Sequence, residues 1–305
     1  MPLNIDLDRP LLLLSPHLDD AVFSAGALVG RPTVEVWTVF AGVPESPGPT
    51  AWDSSCGYED SRVLMKDRLA EDAAALGETR FEQLPFLERA YTTPARRTAD
   101  LASLAGRIGE WIDRNPGGCL ALPAGAGVTM RPAWHQQARR RLAGRRRGTS
   151  PAGEHDGSQS AGAAGEPAQA GMAKRVVRWM LHVDYQRRRR AAQRSGMLAN
   201  EDHLAVRDAG LALANSRGVD VLLYEELPYL WAARGDAAAV SAASAAGRSA
   251  HRLELTPDLT DKHARMTRYR TQLRVMDPEH RRLEDPARLP SQERYWWLPA
   301  AADPV

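Results

Sequence analysis

Residues 11–26 have the sequence LLLLSPHLDDAVFSAG, in which an apolar run ends in a short polar loop before a helix-like segment. Four consecutive leucines are typical of a buried strand in a parallel sheet, and Pro16 ends that strand. The side chains of His17, Asp19 and Asp20 therefore fall on the loop at the carboxyl end of the strand. Open α/β sheets build their functional sites at this end.

This loop has the ligand types and spacing of a metal site. His17 and Asp20 are three residues apart and can reach one divalent ion, while Asp19 points elsewhere and is free to act as a base. An ordinary structural role explains the same residues, because an aspartate before a helix caps its free amide groups and favours its dipole. The spacing alone leaves both interpretations open.

A second polar cluster, residues 200–203, lies at the start of an amphipathic helix and has the sequence NEDH. His203, together with His17 and Asp20, would leave a zinc ion one open position for water, as in hydrolytic zinc sites. The same two histidines and carboxylate also suit ferrous iron, so the native metal stays open. We expect Asp202 to orient His203 through its other ring nitrogen.

The two motifs, PHLDD and NEDH, resemble those of the PIG-L/LmbE-like family of zinc-dependent N-acetylglucosaminyl deacetylases. The family pattern is a His-x-Asp-Asp loop after the first strand and a later His-x-Asp-His segment. The likeness covers most of the chain apart from residues 131–196. It includes further matching positions at Arg68, Glu71, Asp72, Lys262, Tyr269 and Gln272.

The resemblance implies a zinc-dependent hydrolase that removes an N-acyl group, above all acetyl, from an amino sugar or a glycosidic small molecule such as a natural-product intermediate. It assigns zinc to His17, Asp20 and His203. It also implies that Asp19 is the catalytic base, with Asn200 and Asp202 in the catalytic set. Arg68 either binds substrate or braces the metal loop through an ion pair, and the sequence leaves both roles open.

Asn200 departs from the family pattern, which has a histidine at this position. An asparagine amide can donate a hydrogen bond to an oxyanion, but it cannot shuttle a proton near neutral pH. The departure raises an alternative from another class, a metal-binding pseudoenzyme or partner-binding protein with diverged chemistry.

Helix-like and strand-like segments alternate along the chain, which predicts a Rossmann-like, mostly parallel sheet with helices on both faces. Past Trp231 we expect less regular structure, with a flexible linker over residues 232–250 and a helix over 257–273. The predicted strands are 11–15, 33–40, 80–84, 118–122 and 219–224, and the other predicted helices are 20–29, 59–76, 98–114 and 203–216.

A chain of 305 residues that is 43% hydrophobic can form one large α/β core, and we expect a single domain over 1–305. No apolar run approaches the twenty residues of a membrane span, and the start lacks the features of a secretory signal. Two cysteines are too few for a disulfide framework. The expected compartment is the cytoplasm, and a homo-oligomer is left open.

Residues 131–196 form a basic, insert-like segment with a Gly/Ala/Ser-rich centre, which we expect to be partly flexible. Between Arg131 and Arg194, fifteen Lys/Arg face four Asp/Glu, so the rest of the chain carries a net nine negative charges. Both ends of the segment are expected at the rim of the metal site, where it would act as a lid or specificity element. Nucleic-acid binding is disfavoured because no interleaved aromatic platform accompanies the arginines.

Overall fold

The structure, a computed structural model, describes residues 6–46, 48–127, 187, 198–231, 235–277, 279 and 282–300. The chain divides into two compact units, one formed by Met1–Gly127 with Ala199–Val305 and the other by Val128–Leu198. Every element described below belongs to the first unit. The basic segment 131–196 lies outside the described residues apart from Arg187, so its flexibility and its role as an insertion in a single domain stay predictions.

A seven-stranded sheet forms the centre of the first unit, in the order β3-β2-β1-β4-β5-β7-β6. The first five strands in this order, β3-β2-β1-β4-β5, are parallel, which confirms the predicted fold class. The two strands near the carboxyl terminus, β7 and β6, add to the sheet in antiparallel fashion. The strands are β1 (Leu11–Ser15), β2 (Val34–Thr38), β3 (Arg80–Gln83), β4 (Cys119–Pro123), β5 (Asp220–Tyr224), β6 (His251–Leu255) and β7 (Glu293–Leu298).

Helices cover both faces of this sheet. Leu11 and Leu13 of β1 belong to one hydrophobic core, which includes residues of α1, α3, α7 and α8. Leu12 and Leu14 point to the opposite face and pack with α4, α5 and α6. The helices are α1 (Asp20–Ala25), α2 (Ala51–Ser55), α3 (Ser61–Leu76), α4 (Pro94–Arg114), α5 (Glu201–Arg217), α6 (Gly235–Ala245), α7 (Leu259–Met266) and α8 (Arg270–Met276).

The region past Trp231 is more regular than predicted. The expectation of a flexible linker over 232–250 was wrong, because α6 occupies 235–245 and its alanines pack into the core of one sheet face. Alanine has the highest helix propensity, and this outweighed the linker-like composition. The single helix predicted over 257–273 is instead two helices, α7 and α8, with Tyr269 in the break between them.

The order of the strands fixes where a site can form. From β1 the chain builds outward through β2 and β3, and it then returns to place β4 on the other side of β1. The carboxyl ends of β1 and β4 therefore flank the point where the strand order reverses, which is where α/β sheets bind ligands. No helix in the part of the chain described here is long and apolar enough to cross a membrane.

Candidate metal centre

The loop after β1 is closed by hydrogen bonds within its own sequence. The Ser15 hydroxyl donates to the His17 carbonyl oxygen over 2.7 Å and accepts from the Ala21 amide over 3.0 Å. The His17 amide donates to Asp20 Oδ2 over 2.8 Å. These bonds bring the side chains of His17 and Asp20 to the same side of the loop, as their spacing predicts.

His17, Asp20 and His203 form one buried cluster with the geometry of a metal site. His17 Nδ1 lies 3.2 Å from His203 Nε2, and each of these nitrogens lies 3.3 Å from Asp20 Oδ2. Bonds of about 2.0–2.1 Å to zinc place tetrahedral ligand atoms roughly 3.3 Å apart. The three ligand atoms therefore fit a tetrahedral ion and leave its fourth position open.

Asp202 orients His17, not His203 as the sequence suggested. Its Oδ2 lies 3.1 Å from His17 Nε2 and also accepts from the backbone amide of Arg89 over 3.2 Å. Asp202 is at the start of α5, one residue before His203, but the two side chains leave the helix in different directions. The expected pairing with His203 was wrong because adjacent helical residues do not face each other.

His203 is instead oriented by Glu226, which the sequence analysis did not identify. Glu226 is completely buried, and its Oε1 lies 3.2 Å from His203 Nδ1. The carboxylate also accepts hydrogen bonds from the backbone amides of Gly125 and Ala126 after β4. The sequence after β5 is apolar except for Glu225 and Glu226. Their position could have indicated a buried carboxylate, which needs hydrogen-bond partners and so points to a site.

The carboxylates of Asp202 and Glu226, called the outer carboxylates below, determine which ring nitrogen of each histidine carries the proton. A carboxylate accepts hydrogen bonds, so His17 Nε2 and His203 Nδ1 carry the ring protons. The lone pairs of His17 Nδ1 and His203 Nε2 then face Asp20 Oδ2. Three electron-rich atoms at this separation repel one another unless a cation lies between them.

The pKa values of these groups show the same preference for positive charge. Burial lowers the pKa of His203, but the charge of Asp20 and hydrogen bonds to Asp20 and Glu226 raise it to about 9. Burial also opposes ionisation of Asp20, yet the charge of His203 and a hydrogen bond to His17 hold its pKa far below the usual range.

Asp19 is buried but is not used as a helix cap. It occupies the N-cap position of α1, yet its side chain makes no hydrogen bond to the described first turn of that helix. This geometry disfavours the purely capping interpretation of the loop. Burial and the charge of Asp20 raise the pKa of Asp19 to about 7, although Arg68 and the two histidines oppose the shift.

Arg68, expected to bind substrate, is 4% exposed and forms a 2.5 Å ion pair with Glu88. Its charge acts on Asp19, so it lies near the cluster. Its Nε has no hydrogen-bond partner among the described residues. Its ion-pair partner Glu88 lies outside the metal loop, so both predicted roles of Arg68, binding substrate and bracing that loop, stay predictions.

Asn200 is the N-cap residue of α5. Its side-chain oxygen accepts a hydrogen bond from the Asp202 amide over 2.9 Å, so one end of the side-chain amide is used by the helix. The ring of Tyr229 packs edge-on against that of His203, with centroids 5.5 Å apart. Its predicted role as an oxyanion donor stays a prediction.

The remaining positions of the resemblance hold the metal loop and its helices in place. The Gln272 amide donates to the Leu18 carbonyl oxygen within the loop, and Tyr269 donates to Asp72 of α3. Glu71 accepts from Thr271 across the same contact between α3 and α8. Lys262 forms a buried ion pair with Glu293, which accepts hydrogen bonds from the two backbone amides after α1.

No protein-family profile matches the chain, and no curated protein matches it. Solved structures with the same fold include a deacetylase in the biosynthesis pathway of teicoplanin, with a TM-score of 0.56 and 20% identity over 97% of this chain and 100% of that chain. A zinc-inhibited form of teicoplanin deacetylase has a TM-score of 0.55 and 20% identity over the same shares. The A40926 pseudoaglycone deacetylase has a TM-score of 0.54 and 22% identity over 98% and 100%.

Proposed function

We propose that this chain is a metal-dependent amide hydrolase that removes an N-acyl group, above all acetyl, from an amino sugar or glycosidic small molecule. The ligands of the metal are His17, Asp20 and His203. The products are a free amine and a carboxylate. Zinc is the first candidate metal, and ferrous iron is the second because the same ligand set suits both ions.

The observation that carries this proposal is the set of three inward-facing lone pairs. Each histidine has its ring proton directed to an outer carboxylate, so the nitrogens that face Asp20 are free to donate to a cation. A proton or a metal ion satisfies them. The 3.2 to 3.3 Å separations favour the metal, since they equal the edges of a tetrahedral zinc site.

The substrate class is supported by the structural neighbours. Two of them are named for teicoplanin and one for the A40926 pseudoaglycone, and all three are deacetylases. One neighbour is described as zinc-inhibited, which supports zinc binding at this fold and also makes the native metal a question for experiment. A glycoside larger than a single sugar is therefore the first class of compound to assay.

The side chains around the ligands have distinct tasks in this reaction. A bound divalent ion would supply positive charge that polarises the amide carbonyl and acidifies water. Asp19 takes a proton from the water that adds to the carbonyl carbon. It returns that proton to the nitrogen as the C–N bond breaks, so one carboxylate serves both steps. Asn200 can donate from its amide nitrogen to the developing oxyanion.

The test compares metal content with release of free amine. Asp20→Ala and His203→Ala should lose the metal, whereas Asp208→Ala, an exposed change on the same helix as His203, should keep it. Asp19→Asn should keep the metal and lose amine release by about 10²- to 10⁴-fold. The assay uses zinc-loaded and iron-loaded protein with a panel of N-acetylated sugars and glycosides. Failure of the parent protein to bind either metal would refute the proposal.

The second candidate, a metal-binding pseudoenzyme, is favoured by the structural role of Asn200. Its side-chain oxygen caps α5, a task that does not require catalysis. Bound metal without amine release from any compound, and no gain in Asn200→His, would support this alternative. A partner protein in this alternative would contact the basic segment 131–196, which apart from Arg187 lies outside the described residues.

A further inference from the structure

We infer that Arg97 is a positioning residue for the metal centre, because its guanidinium holds Asp202 in the orientation that fixes the ring of His17. This inference rests on the metal site proposed above. Arg97 belongs to no motif of the sequence analysis, and it comes from α4, a different element from any ligand or outer carboxylate.

The guanidinium of Arg97 is held by three separate contacts. Its Nη2 lies 2.5 Å from Asp202 Oδ1, and its Nη1 donates to the Leu87 carbonyl oxygen over 3.5 Å. Its carbon Cζ lies 4.0 Å from the centre of the Phe40 ring, in a cation–π contact. The side chain is 13% exposed, so solvent screens these interactions weakly.

The two oxygens of the Asp202 carboxylate have different partners. Oδ1 pairs with Arg97, while Oδ2 faces His17 Nε2 and the Arg89 amide. Asp202 Oδ1 makes no hydrogen bond to the described residues, so the ion pair with Arg97 is the contact that offsets its charge. Without Arg97 this buried oxygen would lose that charge partner, and the carboxylate could rotate away from His17 to reach solvent. The ring of His17 would then lose the contact that directs its Nδ1 to the metal.

The backbone of Arg97 is held in the first turn of α4. Pro94 begins α4, Thr93 caps it, and the Arg97 amide donates to the Thr93 carbonyl oxygen over 2.9 Å. Phe40, on which the guanidinium stacks, is fully buried, and its ring also lies 6.2 Å from that of His17. A rigid helix and a rigid ring therefore set the position of the charge.

The neighbouring arginine provides a matched control. Arg96 is on the same turn of α4, and its one ion pair among the described residues is with Asp100 at 4.0 Å, with 53% of its side chain exposed. Arg96→Gln removes the same charge as Arg97→Gln without touching Asp202. Arg97→Lys is a second variant, because it keeps the charge and the apolar stem but lacks the fork that reaches both partners.

The experiment measures zinc affinity by competition with a chromogenic chelator, with thermal unfolding of each chelator-treated variant as the folding control. Arg97→Gln should weaken zinc binding by about 10- to 100-fold, Arg97→Lys by less, and Arg96→Gln within about twofold of the parent. Arg97 acts through Asp202, so the two substitutions should not add. The double variant Arg97→Gln/Asp202→Asn should have the same zinc affinity as whichever single variant, Arg97→Gln or Asp202→Asn, binds zinc more weakly. Cobalt-substituted Arg97→Gln should show a changed visible spectrum.

Two results would overturn this inference while leaving the proposed function intact. One is parent-like zinc affinity in Arg97→Gln, and the other is multiplication of the two losses in the double variant, which would show independent structural effects. Failure of the parent protein to bind zinc, cobalt or ferrous iron would instead refute the proposed metal site, and this inference with it.

Discussion

Replacement of Glu226 by glutamine tests whether the outer carboxylate controls the metal site. In the parent protein, Oε1 lies 2.7 Å from the Gly125 amide and 3.2 Å from His203 Nδ1, while Oε2 lies 3.2 Å from the Ala126 amide. All three partners are N–H donors. In either orientation, the amide group of glutamine directs an NH₂ at one of them and loses at least one hydrogen bond.

The expected loss of zinc affinity is about 10- to 100-fold, which equals about 1.4–2.7 kcal/mol of binding free energy. The loss should be larger if the new NH₂ faces His203. It would donate to Nδ1, so the ring proton would then be on Nε2, the nitrogen that faces the metal. Glu225→Gln is the matched control. Glu225 is the preceding residue, is also buried, and accepts a hydrogen bond from Trp296 Nε1 over 2.9 Å on the other side of the chain.

The assay is competition between the protein and a chromogenic chelator at neutral pH, with urea unfolding of each variant in chelator. Glu226→Gln should lose about 1–3 kcal/mol of unfolding free energy, because it loses a bond to a buried carboxylate. Glu225→Gln should lose less, because its amide oxygen can keep the bond from Trp296 and Glu225 Oε2 makes no hydrogen bond to the described residues. Only Glu226→Gln should lose zinc affinity. Equal zinc affinities for the two variants would refute the role given to Glu226.

Two further predictions concern stability. Burial raises the pKa of Asp72 from 3.8 to about 6, so the unfolded chain releases this proton first as pH rises. The parent should therefore lose about 2 kcal/mol of unfolding free energy relative to Asp72→Asn between pH 4 and pH 7, and parallel pH curves would contradict this. Gly42→Ala places a Cβ 2.5 Å from the Pro85 carbonyl oxygen and should cost roughly 1–3 kcal/mol in urea unfolding. Gly106 is at an exposed position of α4, and a Cβ there would meet nothing within 4 Å. Gly106→Ala should therefore stabilise the protein by about 0.5–1 kcal/mol, and a change in unfolding free energy of the same sign in both glycine variants would contradict this packing argument.

The sequence was sufficient for the parallel part of the sheet and for the approach of two of the proposed metal ligands. Four leucines before a proline predicted β1, and the three-residue spacing brought His17 and Asp20 together, because both features are local. The alternation of elements predicted parallel strands, since a helix between two strands returns the chain in the same direction. The grouping of His203 with His17 and Asp20 rested on the second motif, NEDH, and on the family resemblance of the two motifs.

Tertiary structure alone decided which groups hold the ligands in place. Asp202 is adjacent to His203 in sequence but contacts His17, 185 residues away, because side-chain direction on α5 sets its partner. Glu226 and Arg97 approach the site from β5 and α4, and no spacing in the sequence relates them to the histidines they support. The proposed metal ligands lie in two short motifs, whereas their orientation depends on buried charges that meet only when distant helices and strands pack together.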